Sequence, residues 1–198
     1  AVLGLARSCA ARGRHLICGN TEHYAVLHAF EHLQKHENFD VTWLPVDEGG
    51  RIDPDELGRA IRPGTTLASI MTANNETGVV QPMEEISNQC RTHGVLLHSD
   101  MVQSLGKLAT NLDGIDAASF AAHKVYGPKG AGLLFLRAGL PIEATQFVGS
   151  HESQRRPGTE TVPAIAGMAA ATEPQRRHPE PEPDSDDRSR ERPWRPPC

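Results

Sequence analysis

Two short runs restrict the fold more than anything else in the chain. TTLASIMTA (65–73) and VLLHS (95–99) are apolar or small almost throughout, where a strand on an exposed sheet face would alternate. Strands of that kind are covered on both faces, which is the habit of parallel sheets clad in helices. The stretches around them fit. IDPDELGRAI (52–61) opens with Asp53 as a cap, Pro54 at the first helical position and acidic residues in the first turn. Residues 83–93 read as a second helix, closed by Gly94.

The same alternation extends in both directions. Val2, Leu3, Leu5, Ala6, Cys9 and Ala10 recur at helical spacing within 1–12, and 15–18 reads as a strand. A helix over about 22–37 presents Val26, Leu27, Phe30 and Leu33 on one side, and VTWLPV (41–46) is β-rich. Strand then helix, repeated at least three times, predicts an α/β fold: a mostly parallel sheet with helices on both faces. Towards the end IDAASFAA (115–122) and AGLLFLRA (131–138) are joined only by a short glycine-rich turn, too short for a crossover. One antiparallel strand is therefore expected there. From residue 172 the sequence turns to proline and charge, and 172–198 is expected to be a disordered tail.

Composition excludes several classes of function. A net charge of -5 offers no basic footprint for nucleic acid. No apolar run approaches the roughly 20 residues needed to cross a bilayer, so no membrane role is expected. Cys9, Cys18, Cys90 and Cys198 lack the spacing of a disulfide framework or a zinc site, which favours a reducing, cytoplasmic setting. The first three fall in a helix, a strand and a helix, where a small buried side chain is the simplest account.

The chemistry gathers at strand ends. Asp100 follows VLLHS, and Lys124 follows the next strand, just before VYGPKG (125–130). Ligands collect at the carboxyl ends of strands in open α/β sheets, so a carboxylate and an amine delivered there can share one small molecule. A cofactor with a basic ring nitrogen and an aldehyde fits that pair. A partly desolvated lysine amine forms a Schiff base, and a semi-buried carboxylate keeps a pyridinium nitrogen protonated, making the ring an electron sink. Gln103 can offer an amide three residues beyond Asp100. His23 follows another strand end, where its ring can lie over a flat cofactor or simply begin a helix. Asn74 and Asn75 are turn residues, unless one amide points at the ligand. His28, His32 and His36 lie on the polar side of one helix without a carboxylate at the right place for a metal, which suits a solvated face.

Taken together, TEH (21–23), NNETG (74–78), HSDMVQSLGK (98–107), AAHKVYGPKG (121–130) and RRPGTE (155–160) resemble the successive motifs of the cysteine desulfurases. These are pyridoxal-phosphate enzymes of the class V aminotransferase superfamily, with selenocysteine lyases as close relatives. The resemblance implies a fold type I large domain, cofactor-binding and incomplete over 1–171, with a small C-terminal domain absent. It implies Lys124 as the Schiff-base lysine, Asp100 as partner of the pyridine nitrogen, and Gln103 and Asn75 near the phenolic oxygen. His23 would stack on the ring and act as acid or base, and His123 would touch the phosphate. Thr159 would reach the phosphate of a neighbouring subunit, which implies a homodimer.

The implied reaction releases sulfur from L-cysteine as an enzyme persulfide, with L-alanine as product and a sulfur-acceptor protein as a possible partner. Relatives serve iron–sulfur cluster assembly, RNA thiolation or selenium recycling. The alternatives are a selenocysteine lyase, another class V aminotransferase-like enzyme, or a non-catalytic remnant. The family's catalytic cysteine lies on a loop well beyond the lysine, so none of the four cysteines here is assigned that role.

Overall fold

A computed structural model describes residues 1–147, 149 and 151–177. The elements follow the alternation of the sequence: α1 (Val2–Cys9), β1 (His15–Gly19), α2 (Tyr24–His36), β2 (Asp40–Leu44), α3 (Pro54–Ala60) and β3 (Thr65–Ser69). After them come α4 (Met83–His93), β4 (Leu96–Asp100), β5 (Ala117–Ala121), β6 (Gly132–Leu136) and the helix α5 (Val162–Arg177). The helices begin and end where the local chemistry provides. The Asp53 side chain accepts the Asp55 N–H to cap α3, and α4 stops at Gly94, whose φ of 67° is left-handed.

The strands form one sheet in the order β2-β1-β3-β4-β5-β6. Every pair is parallel except β5 with β6, which is antiparallel as the short connection required. Strand order reverses about β1, so the loops leaving β1 and β3 diverge at one edge and open a crevice.

Alternation within the central strands explains why helices cover both faces. On β4, Leu96 packs with Leu5, Phe30 and Leu33 of α1 and α2, whereas Leu97 packs with Leu57, Ile86 and Cys90 of α3 and α4. Between the layers two histidines tie the strands side to side. His15 on β1 bonds Thr42 of β2 at 2.8 Å and Thr65 of β3 at 2.7 Å. His98 on β4 bonds Ser69 of β3 at 2.8 Å and Ser119 of β5 at 2.9 Å. Two imidazoles thus bridge all five parallel strands, each with one ring nitrogen donating and the other accepting.

The first residues of the segment expected to be disordered from residue 172 are helical instead. Residues 172–177 continue α5, and the Thr172 hydroxyl donates back to the carbonyls of Met168 and Ala169. Glu173, Gln175, Arg176 and Arg177 are good helix formers, and the helix runs on past its apolar residues in spite of Pro174. Residues 178–198, with Cys198 and most of the expected disordered segment, lie outside the described residues. Among the described residues, no helix is long and apolar enough to cross a membrane.

Candidate functional site

Four strand ends converge on one cavity of about 490 Å³. It lies at the carboxyl edge of β4 and β5, on the side that α1 and α2 cover, and its lining includes His23, Asn75, Asp100, Gln103, His123 and Lys124. Six of the seven residues expected at the site are therefore brought together. The seventh, Thr159, is exposed and outside this lining.

Asp100 is the last residue of β4 and is half-buried. Its Oδ1 accepts the Val102 N–H at 3.0 Å, which fixes the carboxylate at the turn out of the strand. Burial pushes its carboxyl above the usual range, and the Val102 N–H and the nearby His23 pull it back only in part. Gln103 lies on the same turn, and its Oε1 accepts the Lys107 ammonium at 2.6 Å. That contact orients the amide so that its NH₂ remains as the donor end.

His23 is the N-cap of α2, its Nδ1 accepting the Ala25 N–H at 3.1 Å. The helix start and the site position, alternatives from sequence, are both occupied by the same ring. With Nδ1 accepting, Nε2 is left to carry the proton of a neutral imidazole.

The two asparagines divide their work. Asn74 is the structural one: its Oδ1 accepts the Glu76 and Thr77 N–H groups, and its Nδ2 donates to the Thr21 carbonyl at 2.9 Å. Asn75 is exposed and lines the cavity.

Lys124 departs from expectation in one respect. It sits on a single 3-10 turn, Ala122–Lys124, just past β5, and its side chain is exposed instead of partly desolvated. The strand ends at Ala121, so apolar residues bury the base of the turn, Ala122, and not the amine. His123 is exposed beside it.

Two buried residues, one lining the cavity and one next to His23, escaped sequence reasoning. His98 lines the cavity and is 1% exposed, and burial, aided by the amino terminus, pushes its imidazole down to about 3. The two-residue period of a strand, which puts His98 on the same face as Asp100, was the available signal. Glu22 is 5% exposed beneath the turn that carries His23, and it left no mark in the sequence beyond its place in TEH.

The histidine row of α2 does not converge. His28 stacks on Tyr24 at 5.6 Å between ring centroids, while His32 faces His36 at 5.0 Å and contacts Glu37 at 3.2 Å.

Comparison with known proteins identifies the family and the fold. The model of the Aminotransferase class-V family matches residues 1–175. The cysteine desulfurase IscS of Dictyoglomus turgidum is 43% identical over 175 residues, covering 87% of this chain and 44% of that protein. The cysteine desulfurase of Homo sapiens is 42% identical over 177 residues, covering 87% of this chain and 38% of its own length. Among solved structures, a NifS-like protein superposes with a TM-score of 0.84 at 37% identity, covering 88% of this chain and 49% of that one. SspA in complex with cysteine gives a TM-score of 0.82 at 38% identity, covering 87% of this chain and 50% of that one. The chain spans about half the length of the relatives it matches, or less. On the family match across residues 1–175, the chain belongs to the class-V aminotransferases.

Proposed function

We propose that the cavity holds pyridoxal phosphate and that the chain is the cofactor-binding part of a cysteine desulfurase. The observation that supports this most is the meeting of Lys124, Asp100, His23, Asn75, Gln103 and His123 around one cavity. Its volume falls within the roughly 300–1,000 Å³ range of small-molecule sites. The donor set also fits. The family's cofactor offers an aldehyde, a basic ring nitrogen, a phenolic oxygen and a phosphate, and the lining offers an amine, a carboxylate, two amides and three imidazoles, of which His98 is buried. When bound, it supplies a protonated ring that takes up electrons from the substrate carbon.

The residues then have separable tasks. Asp100, whose half-burial disfavours its charged form, becomes a strong partner for a cation brought against it, and it holds the proton on the ring nitrogen. The Lys124 amine would hold the cofactor's aldehyde and is the group placed to take a proton from the substrate carbon. The Gln103 and Asn75 amides would donate to the phenolic oxygen, His23 Nε2 would exchange protons beside the ring, and His123 would hold the phosphate. Thr159, exposed and away from this cavity, suits a role toward a second subunit. The exposed apolar side chains Leu133, Phe147, Val162 and Ile165 are compatible with the same homodimer. Free thiols at Cys9, Cys18 and Cys90 fit a reducing, cytoplasmic setting, with a separate protein accepting the sulfur.

Those three thiols are poor sulfur acceptors themselves. Burial raises all of them, Cys90 to about 12, and a thiol that keeps its proton is not a nucleophile. The expected behaviour of this chain is therefore proton chemistry at the substrate carbon with little or no sulfide release. With pyridoxal phosphate in D₂O, L-cysteine should acquire an α-deuterium faster than with the cofactor alone, as read by mass spectrometry. Asp100→Ala should slow that exchange by about 100-fold or more, the order found when a preorganised electrostatic partner is removed. Exchange no faster than with free cofactor would contradict the reading. Rapid release of alanine and sulfide would show that a usable thiol has been overlooked.

A further inference from the structure

The Glu22 carboxyl is placed as few acidic side chains are. It is 5% exposed, its Oε1 accepts the Met71 N–H, and its Oε2 is buried without a hydrogen-bond partner. The groups facing it are the Cys18 thiol on β1, the Met71 backbone at the end of β3 and the Asp100 carboxylate on β4. Among the described residues none of its neighbours is a cation paired with it. An ionised carboxylate there would leave one oxygen unsolvated and would stand near the charge of Asp100, so the un-ionised acid is the form this environment accepts. Space is fitted to the group as well: a Cβ added at Gly19 would sit 3.4 Å from its Oε1.

Glu22 belongs to a two-point latch. Its carboxyl meets Met71, and the Thr21 carbonyl beside it accepts the Asn74 amide. Both contacts join the turn between β1 and α2 to the end of β3. The turn carries His23, and the end of β3 leads to Asn75, so the latch fixes the spacing of two cavity walls about Asp100.

We propose that Glu22 is a positioning residue of the site, an un-ionised buried acid that latches the His23 turn to β3 and so sets the imidazole relative to Asp100. The positioning role rests on the cavity being the pyridoxal-phosphate site. The un-ionised state does not. Burial keeps the proton on the carboxyl up to about pH 8, against 4.5 for a free side chain. A group raised in this way gives stability that is complete below pH 4.5 and is lost as pH rises through 8.

Glu22→Gln keeps the acceptor for Met71 and removes the titration. Its urea midpoint should gain on that of the wild type steadily between about pH 5 and 8, with the slope of one bound proton. A protonated-carboxyl stretch in the infrared spectrum of the wild-type chain near neutral pH should be missing from E22Q. Parallel stability curves, or no difference between the spectra, would overturn the un-ionised latch. For positioning, the dissociation constant of pyridoxal phosphate should weaken about tenfold in E22A and recover most of that loss in E22Q. E22A folded by circular dichroism and binding as tightly as the wild type would overturn it. If the wild type itself takes up no pyridoxal phosphate, the cofactor reading and the positioning role fail together, and the stability and infrared comparisons still decide the state of the acid.

Discussion

Lys124→Ala is expected to abolish the visible absorbance that pyridoxal phosphate acquires when a lysine of the chain holds it covalently. The expectation comes from placement. Of the four lysines, Lys124 alone lines the cavity. Lys35 pairs with Glu31 at 2.9 Å on the outer face of α2, and Lys107 is engaged by Gln103. Lys129 lies in the turn beyond, exposed. Although the Lys124 side chain is exposed, its backbone is held. The Val125 and Gly127 N–H groups both donate to the Ala122 carbonyl, and the Ala122 N–H donates to Ala131 across the start of β6. The amine thus leaves a fixed anchor beside Asp100, which converts an encounter into a positioned reaction. Lys35→Ala serves as the control and should keep the band. Equal bands in both variants would mean that the capture is nonspecific.

Acid should destabilise the fold through His98, by about 4–5 kcal/mol between pH 6.5 and pH 3, at about 1.4 kcal/mol for each pH unit. The sign follows from where the proton goes. Folded, the imidazole is 1% exposed between Ser69 and Ser119 and takes a proton only near pH 3; unfolded, it takes one at 6.5. Its contribution is therefore complete above 6.5 and drains away as pH falls. Glu22 slopes the other way from 4.5 to about 8, so the two nearly cancel between 4.5 and 6.5. Each slope is visible only against a variant. His98→Leu should start below the wild type at pH 7, because it leaves Ser69 and Ser119 without their partner. Its urea midpoint should converge on the wild-type value by about pH 4. A constant gap across that range would show that His98 is protonated in the folded state.

These two groups also mark how far the sequence could be read. The sheet was legible because TTLASIMTA and VLLHS can be satisfied only between two helical layers, and because the ten residues between β5 and β6 are too few for a crossover. Asp100, His23, Asn75 and Lys124 were legible because each follows a strand, and parallel strands deliver their carboxyl ends to one edge. What stayed hidden depends on packing across elements far apart in sequence. Glu22 lies 49 positions from the N–H it accepts. A glutamate next to a helix start is ordinarily a solvated one, and only the approach of β3 and β4 makes it a buried acid. His98 lay in plain view inside an apolar strand, but its two serine partners come from neighbouring strands. The exposure of Lys124 has a related cause: the strand's apolar run predicts a buried amine, whereas the chain turns at Ala122 and turns the side chain outward.

The most direct test is to mix the wild-type chain with pyridoxal phosphate, reduce with borohydride so that the bond to lysine becomes permanent, and map the added mass by peptide mass spectrometry. The cavity reading predicts that the mass is carried by the peptide containing Lys124. Label spread over Lys35, Lys107 and Lys129 as well, or no label at all, would contradict it.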